Sequence, residues 1–156
     1  FLQRAFGIIF VATIVIWFLQ NFDTRLNVVE NSADSLLAMI GRVVAPIFEP
    51  LGFGDWRAAT SLISGFTAKE AVISTMAVLL ETNLANLGGT LSAMFTPLSA
   101  VSFLVFTLLY TPCVAAIASI RRELGSKIQT AGVVILQCGV AWICAFLVFR
   151  IGSMII

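Results

Sequence analysis

Apolar residues in this chain come in long runs, and the positions that interrupt them are few. Residues 5–22 form the first run; Arg4 precedes it, Trp17 stands near its far end, and a polar stretch over 21–34 follows. About 20 mainly apolar residues suffice to cross a bilayer as a helix, so this run predicts a spanning helix with an interfacial aromatic anchor. Over 35–48 the pattern changes. Leu36, Leu37, Ile40, Val43, Val44 and Ile47 recur at helical spacing, Gly41, Arg42 and Glu49 interrupt them, and Pro46 and Pro50 are expected to end the segment. That pattern predicts an amphipathic helix at the interface or packed at a tilt, with a short span as the alternative. The run 58–80 is long enough to cross but holds Ser61, Ser64, Gly65, Thr67, Lys69, Glu70 and Ser74. It predicts a discontinuous span or a re-entrant hairpin with its break at Gly65. Residues 81–96, with Gly88-Gly89 inside, are expected to be a loop. A span over 97–120 carrying Pro112, a short basic loop over 121–127 and a last span over 128–149 complete the chain.

Composition agrees with a bilayer as the solvent. Of 156 residues, 60% are hydrophobic and only 11% are charged, and mean hydropathy is +1.04. A soluble domain is roughly half apolar and about a quarter charged, and a chain this short cannot hide the excess from water. The expected class is therefore all-α: a polytopic transmembrane helix bundle with a discontinuous or re-entrant segment and an interfacial amphipathic helix. A net charge of +1 offers no basic surface for nucleic acid. Cys113, Cys138 and Cys144 lie in apolar stretches and are expected to be reduced thiols, since a disulfide framework favours an even number in polar loops. The absence of histidine removes the commonest metal ligand and most catalytic sets. No phosphate loop or dinucleotide fingerprint is present, so no enzyme is expected. The chain opens at Phe1 and runs straight into an apolar segment, which is expected of a fragment of something longer and not of a signal peptide. The basic loop and Arg4 are both expected on the cytoplasmic side, which requires an even number of crossings over 35–80.

Three interruptions could carry chemistry. Lys69 and Glu70 lie inside an apolar run, and an ionisable residue at membrane depth costs about 2.5–3.5 kcal/mol on insertion scales, which makes it a functional candidate. Ser64, Thr67, Glu70 and Ser74 are spaced to form one polar stripe of a helix, as a wall of a water-filled path would. The plainer reading has Lys69 snorkelling to an interface and Glu70 paired with a residue such as Arg57. The second interruption is Tyr110-Thr111-Pro112-Cys113. Pro112 has no N–H and clashes with the carbonyl of Leu108, which frees a backbone oxygen. Broken spans are where transporters build their sites, and a thiol suits softer transition metals. A simple kink beside a small buried cysteine is the alternative. The third is a face of the last helix holding Thr130, Val134, Gln137, Ala141 and Cys144, read as a helix–helix contact, with Gly132 and Gly139 allowing close packing.

Four blocks carry a resemblance: Gly52-Phe53-Gly54-Asp55-Trp56-Arg57-Ala58-Ala59, Gly65-Phe66-Thr67-Ala68-Lys69-Glu70, Phe95-Thr96-Pro97-Leu98-Ser99-Ala100, and Leu109-Tyr110-Thr111-Pro112-Cys113-Val114-Ala115-Ala116-Ile117. In their order and spacing they resemble the C-terminal membrane region of the bacterial ferrous iron transport protein B (FeoB) family. The resemblance covers nearly the whole chain. It implies a single gate region over 1–156, the second gate repeat of that family and related to nucleoside-transporter gates. The family's GTP-binding domain and first gate repeat are absent from this chain and would be its partners. It further implies a multi-pass protein of the bacterial inner membrane, in contact with lipid and compatible with a homo-oligomer. Fe2+ would be the transported substrate, with no permanently bound cofactor. Cys113 matches the family's gate cysteine and is the implied Fe2+ contact, with Glu70 beside it. Ser64, Thr67, Lys69, Ser74 and Thr111 would line the path, and Gly65 and Pro112 would break the helices. A small-solute permease gate and a helix-packing module are the rival expectations.

Overall fold

The computed structural model describes residues 2–67, 69–83, 85–110 and 113–155. Among the described residues eight α-helices follow one another: α1 (Leu2–Asn21), α2 (Leu36–Val44), α3 (Trp56–Ser64), α4 (Glu70–Leu79), α5 (Leu87–Met94), α6 (Pro97–Leu109), α7 (Val114–Leu124) and α8 (Lys127–Ile155). No strand occurs among the described residues. The all-α class expected from the apolar runs is the observed one.

The capping residues explain where several helices start. Ser35 accepts a hydrogen bond from Ala38 N–H at 3.1 Å at the start of α2. Asp55 accepts from Arg57 N–H at 2.7 Å at the start of α3. Thr96 accepts from Ser99 N–H at 3.2 Å, with Pro97 in the first position of α6 where its missing N–H costs nothing. Gly125 closes α7 in the left-handed region (φ 64°), and Arg121 and Arg122 sit in that helix's last turn, where its dipole favours cations.

Helix α8 has 29 residues, a length of roughly 43 Å, and is by itself long and apolar enough to cross a membrane. Two helix pairs would each make one further span: Leu36–Leu51 with Trp56–Ser64, bent by 107°, and Leu87–Met94 with Pro97–Leu109, bent by 109°. Discontinuity is thus more widespread than the breaks expected at Gly65 and Pro112.

Four expectations change. Pro46 and Pro50 do not end the second segment: the chain continues beyond α2 as a 3-10 helix over Ala45–Leu51. The reason is visible in its hydrogen bonds. In 3-10 register the carbonyl of Ile47 would accept from residue 50, which is proline, and the indole N–H of Trp142 on α8 donates to it instead at 3.0 Å. The expected loop over 81–96 contains α5, because Leu87 is buried and Leu91 and Met94 pack beside it at helical spacing. The expected basic loop over 121–127 shrinks to Gly125 and Ser126, since α7 runs through Leu124 and α8 starts at Lys127. Gly132 and Gly139 make no close approach, as a Cβ at either would meet nothing within 4 Å.

The contact between α6 and α8 is made by other small residues. Ala141 and Ala145 are fully buried, and the hydroxyl of Ser102 donates across to the carbonyl of Ala145 at 3.0 Å. A ring cluster fills the interior between these helices and the 3-10 segment: Phe48 lies edge-on to Phe106 at 5.1 Å, and Phe106 stacks on Tyr110 at 5.5 Å. Such pairs are worth roughly 0.5–1.5 kcal/mol beyond their area. The outer faces stay apolar: Phe6, Phe10, Val11, Ile128, Ile135 and Leu136 are all exposed. Large exposed apolar surface of this kind belongs against lipid or further protein.

Gly41 shows how tightly α2 meets α3. A Cβ there would strike the side chain of Thr60 and come within 2.9 Å of the carbonyl of Trp56. Gly41→Ala is expected to destabilise the protein by about 1–3 kcal/mol, whereas Gly139→Ala, facing open space, is expected to be neutral or slightly stabilising. Thermal unfolding of the two purified variants, followed by tryptophan fluorescence, checks the contrast.

Candidate functional site

Two helix breaks meet in this fold. The first lies between α3 and α4. Helix α3 ends at Ser64, and residues 65–67 turn with Phe66 N–H on Ile63 O at 3.2 Å and Thr67 N–H on Ser64 O at 3.1 Å. The second lies between α6 and α7. Helix α6 ends at Leu109, Tyr110 is extended (ψ 168°), and α7 starts after Cys113. Thr111 and Pro112 lie outside the described residues, as does Ala68.

Four contacts join the breaks. The N–H of Val114, the first residue of α7, donates to the carbonyl of Phe66 at 2.8 Å. The Phe66 ring meets Tyr110 edge-on at 5.7 Å. The Tyr110 hydroxyl donates to the carbonyl of Leu62 at 3.4 Å. Lys69 supplies the fourth: its ammonium donates to the carbonyls of Thr107 at 3.1 Å, Leu108 at 3.0 Å and Tyr110 at 3.4 Å. It also lies 5.2 Å from the centre of the Tyr110 ring. Leu108 O is the oxygen that the Pro112 clash predicts to be free. Lys69, half-buried, thus caps the end of α6. Hydrogen bonds from a charged donor contribute about 1.5–3 kcal/mol each.

The helical stripe expected of Ser64, Thr67, Glu70 and Ser74 does not exist as one face. The break at Gly65 puts Ser64 on α3, Thr67 in the turn, and Glu70 and Ser74 on α4. Ser64 and Thr67 are buried and Ser74 is exposed. The side chain of Glu70 lies outside the described residues. The buried hydroxyls mostly bond back to their own segment: Ser61 to Ala58 O at 2.8 Å, Ser64 to Thr60 O at 3.3 Å and Thr67 to Ser64 O at 2.7 Å. Bonded this way, each keeps its lone pairs as acceptors. One amide answers them: Gln20 of α1 donates to the hydroxyls of Ser64 and Thr75, each at 3.4 Å. The adjoining cavity, about 90 Å3, is lined in part by Gln20, Ser35, Thr60 and Thr75.

Cys113 is a half-buried free thiol at the N-cap of α7, and its own carbonyl accepts from Ala116 N–H and Ile117 N–H at 2.9 and 3.1 Å. Its place is set by the bond from its neighbour Val114 to Phe66. Cys138 of α8 borders an apolar cavity of about 200 Å3 together with Phe66 and Tyr110. Among the described residues no three cysteine or carboxylate groups gather in one place. Arg57 stacks on Trp56, 5.4 Å from its ring, and its Nε is buried without a partner.

Gln20 and Thr75 escaped the sequence reading, and Tyr110, named there only as part of the second interruption, was given no role. Tyr110 carried a signal, being the chain's single tyrosine, two residues before Pro112. Gln20 carried a weaker one, a long amide at the end of an apolar run.

The family model Gate, described as nucleoside recognition, matches residues 2–127. The chain belongs to the Gate family. It is 38% identical over its whole length to the Fe(2+) transporter FeoB of Staphylococcus aureus strain MSSA476, covering 23% of that protein. It is 35% identical to the Fe(2+) transporter FeoB of Methanocaldococcus jannaschii, over 99% of the chain and 24% of the relative. It is also 35% identical to that of Campylobacter jejuni, over 100% of the chain and 27% of the relative. The resemblance to FeoB drawn from the four blocks is thereby shown. This Gate-family chain spans about a quarter of the length of these curated relatives. No solved structure matches it.

The crossing depends on Gly65. A Cβ there would strike the Tyr110 hydroxyl and a methyl of Val72 and sit 3.2 Å from Leu62 O. Gly65→Ala is expected to lower stability by about 1–3 kcal/mol. Adding Tyr110→Phe removes the clashing oxygen and is expected to restore part of the loss. A double-mutant cycle from thermal or denaturant unfolding should give a coupling of at least about 0.5 kcal/mol.

Proposed function

We propose that this chain is part of the membrane permease of a GTP-dependent ferrous iron uptake transporter of the bacterial inner membrane. The observation that carries the reading is the junction of two broken helices, held by Val114–Phe66 and Lys69–Leu108, in a chain whose whole length aligns with part of proteins named Fe(2+) transporter. Broken helices meeting in mid-fold expose backbone groups and helix ends to a path for ions. Cys113 stands at one break and Glu70 begins the helix after the other. A thiol and a carboxylate, helped by the hydroxyls of Ser64, Thr67 and Thr111, make a mixed donor set without histidine. Such a set suits an ion that must be released, and Fe2+ is cargo here, not a resident cofactor. This region transports and does not catalyse; GTP hydrolysis belongs to a separate domain of the transporter.

The rival cargo is a nucleoside, after the family's description. Lining chemistry speaks against it. Next to the crossing, the cavity of about 500 Å3 bordered by Val72, Met76, Phe95 and Phe103 is lined almost wholly by apolar side chains, and the one of about 200 Å3 likewise, without the convergent polar groups that orient a small polar ligand.

Uptake of radiolabelled Fe2+ by cells carrying the intact transporter tests the assignment. Cys113→Ser and Glu70→Gln are each expected to lower uptake by about tenfold or more, the scale on which metal-site substitutions act. Wild-type uptake in both, at equal membrane expression, would sink it. Uptake of a labelled nucleoside in place of iron would favour the rival.

A further inference from the structure

Lys69 occupies the N-cap position of α4. That is the unfavourable end of a helix for a cation, because the free N–H groups there carry partial positive charge. What holds the ammonium belongs to another helix. Three carbonyl oxygens, of Thr107, Leu108 and Tyr110, converge on it within 3.4 Å, and the face of Tyr110 lies 5.2 Å away. Two of those carbonyls are in the last turn of α6 and the third follows it, so they also carry the negative end of that helix's dipole.

A ring of backbone carbonyls at the C-terminal end of a broken helix is how transporters coordinate a small monovalent ion. Carbonyl oxygens replace the water such an ion would otherwise keep, and an aromatic face adds attraction for a cation. Three converging carbonyl oxygens and an aromatic face are the donor types an alkali-ion site uses, and the position of the ion is taken by a nitrogen attached to the chain.

We propose that the carbonyls of Thr107, Leu108 and Tyr110 form a monovalent-cation site whose resident ion is the Lys69 ammonium, so that the fold carries its own counter-cation and needs none from solution at this point. The site differs from the iron contact in chemistry, having oxygen and ring donors only, and it stands independently of the cargo reading. A plain structural cap would hold the same geometry but would not accept a free ion in the lysine's place. That difference is measurable.

The test uses the intact transporter in detergent, with Lys69→Met, which keeps the stem and removes the charge, and Lys69→Arg, which keeps the charge. Thermal unfolding midpoints are recorded in choline, sodium, potassium and ammonium chloride at equal ionic strength. Lys69→Met is expected to melt below wild type in choline and to recover about 3 °C or more beyond any wild-type change in at least one small-cation salt. Lys69→Arg should follow wild type in all four. A Lys69→Met midpoint that moves no more than wild type between choline and the small cations overturns the proposal. If Lys69→Met can be extracted intact only when ammonium or alkali salt is present throughout, the proposal stands. If no salt recovers it, Lys69 is a fixed strut and the proposal falls. Iron uptake is not read, so either result leaves the permease reading to its own test.

Discussion

A backbone carbonyl deprived of its donor in an apolar medium has to be supplied from somewhere else, and this fold is organised by that demand. Unsatisfied polar groups cost several kcal/mol in hydrocarbon, yet the chain breaks its helices repeatedly. At the 3-10 segment, Trp142 supplies the donor that Pro50 lacks. At the end of α6, Lys69 supplies donors for Thr107 and Leu108. At the turn after α3, Val114 supplies one for Phe66. Each of these bonds links segments distant in sequence, so satisfying the breaks also ties the bundle together. The ring cluster and the α6–α8 contact at Ala141 and Ala145 then fill what the ties enclose.

This arrangement gives Cys113 a defined place. The cysteine is half-buried and has no side-chain bond at the cap of α7. Its position follows from the neighbouring Val114 bond, which fixes the start of α7 against the turn of the other break. The same turn leads directly into Lys69 and then α4. Soft donor, carbonyl oxygens and tethered ammonium thus sit on segments that cannot be displaced separately. For the cation path proposed above, that sets a tethered positive charge on the segment that leads into Glu70.

The apolar runs made the helical class legible. Gly65 and Pro112 marked the two breaks that matter, because glycine loosens a helix and proline removes one of its hydrogen bonds wherever they fall within an apolar run. What was not legible is which groups answer the breaks. A long stem predicts that Lys69 escapes outward; the same length lets it reach back to α6. Spacing suggests that Ser64, Thr67, Glu70 and Ser74 share a face, but spacing means nothing across a turn. Residues 81–96 look like a loop because of Gly88-Gly89 and several polar positions, and α5 forms there because Leu87 finds the core. Gln20 could not be assigned from sequence, since its partners Ser64 and Thr75 lie on elements that only tertiary packing brings near.

The ties across the crossing differ in one respect that bears on time. Val114–Phe66 joins backbone to backbone, and loosening it means moving helices, which takes microseconds to milliseconds. Lys69 is held through four rotatable side-chain bonds, and a rotamer change takes picoseconds to nanoseconds once its hydrogen bonds open. The crossing therefore has a slow hinge and a fast latch on the same few residues. On the proposed cation path, a passing ion would encounter the charge as a quickly fluctuating barrier set on a frame that is, over its transit, stationary.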